Sequence, residues 1–180
     1  MREPHSPREP GICRLDRIPI RDCGEELVDL RIVCPDVVLV TKLPWLRKGA
    51  ADMLAAAQRN LPPGYKLKVG TALRTLQMQS DGYWNYLNGL REKHPQWPYS
   101  VLRRQANRFF HPPDYKTPPG HCTGGAVDVG LQDPEGKDLD LSSATKEGVN
   151  TRPTYSLYLT LEAKANRRIL IEAMAGAGFS

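Results

Sequence analysis

The chain has 180 residues, of which 40% are hydrophobic and 25% charged, and 25 Lys and Arg against 20 Asp and Glu give a formal net charge of +5. These are the proportions of an ordinary globular domain, and they exclude wholesale disorder, collagen and coiled-coil architectures. No run approaches the ~20 apolar residues of a membrane-spanning helix, and the opening MREPHSPREP has charges and prolines where a secretory signal has an apolar stretch, so a soluble, cytoplasmic protein with no membrane partner is expected.

Residues 1–24 carry four prolines and scattered charges and read as an extended N-terminal arm; residues 25–180 read as one domain. LVDLRIV and VVLVT, separated by the turn residues Cys34, Pro35 and Asp36, predict two short strands. Lys48 to Asn60 is rich in Ala, Leu and Met at helical spacing and stops at LPPG, which predicts a helix. YKLKV alternates apolar and basic residues as a half-buried strand does, and places Arg74 at a strand end. A second helix is predicted over 75–93. HPQWP breaks it before a shorter one from Ser100 to Phe109, which the loop HPPDYKTPPG ends. GAVDVGL, 125–131, reads as a strand and DPEGKDLDL as a turn with a hairpin return; 142–155 reads as irregular. The last helix, Leu161 to Ala175, carries Ile169, Leu170, Ala173, Met174 and Ala177 on one stripe. Strands and helices interleave without a regular strand-helix-strand rhythm, which predicts an α+β domain with a small antiparallel sheet packed by helices.

The cysteines Cys13, Cys23, Cys34 and Cys122 form no CxxC pair and are too sparse for a disulfide scaffold, so they read as reduced thiols. Between Arg91 and Lys116 six basic residues stand against two acidic ones. Arg103, Arg104 and Arg108 with Trp97 and Tyr99 nearby would suit single-stranded nucleic acid, but a solvated helix face accounts for the charges as well, and no nucleic-acid partner is expected.

The segment PPGHCTGGAVDVGL sets His121 and Asp128 seven positions apart across a glycine pair. Imidazole nitrogen and carboxylate oxygen both bind zinc at about 2.0 to 2.2 Å, so two ligands of one ion must stand about 3 to 4 Å apart. Seven extended residues would span up to about 25 Å. The chain must therefore fold back, and Gly124 and Gly125 supply the backbone freedom. Cys122 adjoins His121 in what reads as an extended segment, where neighbouring side chains point to opposite sides; it is expected to be a small packing residue and not a ligand.

The whole stretch resembles the HxxGxxxD signature of the D-Ala-D-Ala dipeptidases, the VanX-like branch of the M15 zinc peptidases, with His121, Gly124 and Asp128 in the signature positions. IRDCGEELVDLR, RKGAADMLAAAQRNLP, GTALRTLQMQ and ANRRILIEAMAGAGF are similar to segments of that family in the same order, over roughly 20–179. The resemblance implies an M15, Hedgehog-like peptidase fold, Zn2+ as cofactor, His121 and Asp128 as metal ligands, and a small D-amino-acid dipeptide from cell-wall (peptidoglycan) metabolism as substrate. It gives Arg74, in ALRTLQMQ, the role of stabilising the transition state, which suits a planar guanidinium facing a developing oxyanion. Gln79 matches a recurrent glutamine to which no role is assigned.

The chain departs from the pattern in three places. The family draws its third zinc ligand and general base from an ExxH segment. None occurs among these 180 residues, whose histidines are His5, His94, His111 and His121, so a C-terminally shortened zinc dipeptidase with little activity of its own is expected. Pro119 stands where the family has Ser. LDLSSATK, 139–146, stands where the family has LDMGxxFD, so Lys146 replaces the carboxylate expected to meet the substrate ammonium, with Glu147 as the neighbouring substitute. The competing expectation is a non-catalytic module on the same fold that binds peptidoglycan fragments or a protein.

Overall fold

A computed structural model describes residues 21–149, 151 and 153–179; most of the expected N-terminal arm, with Cys13 and His5, lies outside the described residues. Leu27–Asp29 forms strand β1, and the chain then enters a single helical turn, α1 (Leu30–Val33). Asp29 sets that switch. Its carboxylate accepts from the Arg31 backbone N–H at 2.9 Å and pairs with the Arg31 guanidinium at 2.5 Å, satisfying a donor that a helix start leaves open. LVDLRIV is therefore half strand and half helix, a correction that apolar spacing alone does not reveal.

Strands β2 (Val38–Leu39) and β3 (Trp45–Arg47) follow, then helix α2 (Lys48–Asn60), as predicted, with Ala50, Ala51, Leu54 and Ala57 buried. Strand β4 (Lys66–Thr71) buries Leu67 and Val69 and turns Lys68 toward Asp138, as its alternation requires. Helix α3 (Leu76–Lys93) starts at Thr75, whose hydroxyl accepts from Met78 N–H at 3.1 Å. Helix α4 (Tyr99–Ala106) ends three residues before the predicted limit, in turns at Asn107 to Phe110. A one-turn helix, α5 (Gly120–Thr123), precedes β5 (Asp128–Gln132), which starts three residues later than predicted. The hairpin return is present: Leu139 N–H donates to Leu131 O at 2.8 Å. Helix α6 (Leu161–Gly176), capped by the Thr160 hydroxyl at 3.2 Å, packs its predicted stripe on the core.

The fold is α+β with two small sheets. β1 and β3 pair antiparallel, while the other sheet has the order β2-β4-β5 with β2 parallel and β5 antiparallel to β4. The sheet is thus mixed, not antiparallel throughout. The parallel pair exists because the connection from β2 to β4 carries α2, and a parallel neighbour needs a crossover of that length. Leu54, Leu67, Val69 and Leu131 form the centre of the main core, with α2 and α6 packed together over it and Asn60 donating to Ala173 O at 3.2 Å. A smaller cluster, Tyr83, Leu87 and Ala106 with Tyr86 and Phe110, joins α3 to α4. Among the described residues no helix is long and apolar enough to cross a membrane.

Candidate functional site

The ladder between β4 and β5 pairs Val69 with Val129 but Thr71 with Asp128, a register shift that sits at Gly70. Such a bulge twists and re-aims the residues beyond it. Asp128 is the first residue of β5, opposite the last of β4, so its carboxylate stands at the end of the sheet. There it stands across the ladder from Thr71 and meets His121, whose Nε2 lies 3.3 Å from Asp128 Oδ1.

His121 is delivered by α5 and not by an extended segment, a correction to the sequence reading. Pro119 opens the turn with φ −59° and Gly124 closes it in the left-handed region with φ +74°. Glycine is favoured at 124 by its left-handed φ, where a Cβ would be strained; a Cβ there would also stand 2.6 Å from Leu27 Cδ2, which would have to turn aside. Arg47 holds the same end of the turn, its backbone N–H donating to Gly124 O at 2.8 Å and its Nε to Thr123 O at 3.0 Å. The residues leaving β4 hold the other side. Ala72 O accepts from His121 Nδ1 at 3.0 Å, and Arg74 N–H donates to His121 O at 3.1 Å. Arg74 is not at the strand end but three residues past it, half-buried, in the segment before α3.

The carbonyl of Ala72 fixes the tautomer. With Nδ1 donating to it, Nε2 faces Asp128, donating to the carboxylate when the ring is protonated and presenting a lone pair when it is neutral. The hydrogen bond with Asp128 raises the His121 pKa above its ordinary value, with burial opposing, and the same bond lowers that of Asp128. Arg74 is close enough to bear on both groups, opposing the charge on His121 and supporting that on Asp128. Its guanidinium is held by Gln79, whose Oε1 accepts from Arg74 Nη1 at 2.8 Å. The three residues singled out by sequence, His121, Asp128 and Arg74, thus lie together.

Several other expectations fall differently. Cys122 is half-buried and burial pushes its thiol up, with Arg74 opposing; it is not fully buried, and in a helical turn it points about 100° away from His121. His94 stacks on Trp97 with ring centroids 3.8 Å apart, and His111 turns Nδ1 to Pro112 O at 3.0 Å. Arg103 pairs with Asp114 at 2.5 Å and Arg108 with Gln105, so two of the three arginines that would suit nucleic acid have partners within the fold. Lys146 lies 5.3 Å over the ring of Tyr158, and Glu147 is exposed. Sequence reasoning missed Arg47, whose only signal was its place in a three-residue strand that carries no alternation.

A pair of ligands on one tetrahedral zinc stands about 3.3 Å apart, given bonds of about 2.0 to 2.1 Å. The His121 and Asp128 pair has that spacing, and an imidazole that donates its far N–H to a backbone carbonyl has the orientation that metal-bound histidines use. The donor set fits zinc as far as it goes. It supplies two ligands, and among the described residues no group of three or more His, Cys, Asp or Glu is placed to hold a metal ion. No protein-family model and no curated protein matches the chain.

Proposed function

We propose that the chain is a zinc dipeptidase-like protein of the D-alanyl-D-alanine dipeptidase type, on an M15, Hedgehog-like fold, acting on D-Ala-D-Ala or a related cell-wall dipeptide. The observation that carries this reading is the His121 and Asp128 pair, 3.3 Å apart with the imidazole oriented by Ala72 O, on a turn whose His121 carbonyl accepts from the backbone N–H of Arg74. His121 Nε2 and Asp128 Oδ1 would hold the zinc, which when bound lowers the pKa of a water and polarises a peptide carbonyl. Arg74 supplies the fixed positive charge that a peptide carbonyl oxygen meets as it becomes an oxyanion, already oriented before the reaction. The carbonyl of Ala72 keeps the His121 imidazole in place. A third ligand and a general base belong to the proposal as an ExxH segment, which these 180 residues do not contain.

Zinc titration of the chain, followed through the imidazole signals of His121, tests the metal half of the proposal. Saturable shifts at His121 that weaken in Asp128→Asn and vanish in His121→Ala are expected; zinc binding unchanged by His121→Ala would overturn the assignment. Release of D-alanine from D-Ala-D-Ala, assayed on the chain carrying an ExxH segment after Ser180, tests the chemistry. Activity that His121→Ala and Arg74→Ala abolish is expected. Dipeptide binding without cleavage in that extended chain would instead favour the non-catalytic module, for which the two-ligand donor set speaks.

A further inference from the structure

Among the described buried side chains, Asp29 and Gln79 are the polar ones. Asp29 is accounted for by its cap and its ion pair with Arg31. Gln79, 3% exposed, lies in the first turn of α3. A primary amide brings one acceptor and two donors into the protein, and its burial is unfavourable unless they are met. Oε1 accepts from Arg74 Nη1 at 2.8 Å, and Nε2 donates to the backbone carbonyl of His111 at 3.0 Å. The two partners dictate which way the amide faces: a guanidinium only donates and a carbonyl only accepts. Only a side chain with an acceptor and a donor at its tip serves both.

The amide is itself held. Gln79 N–H donates to Thr75 O at 3.0 Å, Thr75 caps the helix, and one turn along α3 Gly82 accommodates the Phe110 ring so closely that a Cβ there would be 2.9 Å from Phe110 Cε1. The segment that carries the His111 carbonyl is therefore pressed on α3 next to Gln79. Arg74, by contrast, is fixed at its backbone by His121 O but ends in a long side chain with several rotatable bonds.

We infer that Gln79 is a positioning residue that fixes the Arg74 guanidinium beside the His121 and Asp128 pair and, through the His111 carbonyl, ties it to the loop that follows α4. Its purpose rests on the reading of Arg74 as the oxyanion partner; its geometry is separable from that reading.

Side-chain nitrogen NMR of the arginines in the full chain tests it. In the wild type, rotation about the Arg74 Cζ–Nη bonds is slowed and the Nη signals are split; a single averaged signal overturns the inference. In Gln79→Met, similar in volume but without polar atoms at its tip, the splitting is lost. Gln79→Glu restores it, because a carboxylate accepts from Arg74 although it cannot donate to His111. A folded Gln79→Met chain that keeps the wild-type splitting overturns the inference, as does a folded Gln79→Glu chain that loses it. If neither variant folds, the wild-type spectrum decides. Zinc titration at His121 is independent of all three: zinc binding lost with Arg74 splitting intact removes the dipeptidase reading alone, and zinc binding intact with the splitting absent removes the positioning role alone.

Discussion

The layer of sheet with α2 and α6 and the α3 and α4 excursion are built in different ways. The first is aliphatic, its centre at Leu30, Leu46, Leu54, Leu67, Val69 and Leu131 drawn from across the chain. The second is short-range and partly aromatic, with Tyr83, Leu87 and Ala106 under Tyr86 and Phe110, whose rings lie 5.6 Å apart. The candidate site draws on both. His121 and Asp128 are held by the end of the sheet and the strands around it, whereas Gln79 and the His111 carbonyl belong to the excursion, and Arg74 lies at the joint. The ladder and the turn packed on its end set His121 against Asp128, and a single buried amide carries the link to the arginine.

The largest test of that division is a pair of cavities. Leu67→Ala and Leu87→Ala each empty a fully buried site, and such changes cost about 2–5 kcal/mol depending on how well the surroundings collapse. Leu67, enclosed by strand and helices, is expected toward the upper end, and Leu87, in the small cluster, toward the lower. Urea unfolding measures both, and equal costs would erase the distinction. Gly124→Ala comes next. The left-handed backbone costs about 1–2 kcal/mol with a Cβ, and the contact with Leu27 adds to it; zinc binding at His121 falls with it, while Gly125→Ala, whose Cβ would meet only the Thr123 hydroxyl at 3.2 Å, has the smaller effect in the same assays.

The pH profile sharpens the same contrast. His121 is raised from its ordinary 6.5 by Asp128, so its contribution is complete below 6.5 and is lost as pH rises through the raised value. Asp128 is lowered from 3.8 by His121, so its contribution is present above 3.8 and lost as pH falls through the lowered value. The metal-free chain is expected to gain most from the pair between these two values, a gain that His121→Ala removes from the urea midpoint. The zinc binding proposed for His121 is expected to run the other way, strengthening as pH rises and the proton leaves Nε2. The smallest effect is at the edge of the excursion. Asp114→Ala removes a partly exposed ion pair with Arg103 and costs about 0.2–1 kcal/mol in thermal unfolding.

The amino-acid sequence by itself determined the long periodic elements. α2, α3 and α6 follow from apolar spacing bounded by Pro, Gly and hydroxyl caps, and β4 follows from the alternation of KLKV, because these signals act within one or two turns of chain. It also offered His121 and Asp128 as a candidate pair through their residue types across a glycine pair, and Arg74 through the resemblance of ALRTLQMQ to a segment of the dipeptidase family. Tertiary structure alone decided the rest. The helical switch at Asp29 depends on a side-chain cap, the mixed sheet on where α2 crosses, and the helical turn under His121 on Arg47, which lies 76 residues before its partner Thr123. The approach of His121 Nε2 to Asp128 Oδ1 required a left-handed glycine, a bulge at Gly70 and a carbonyl 49 residues away in sequence. Contacts of that kind leave no periodic trace, since each is made between segments whose own patterns are satisfied without it.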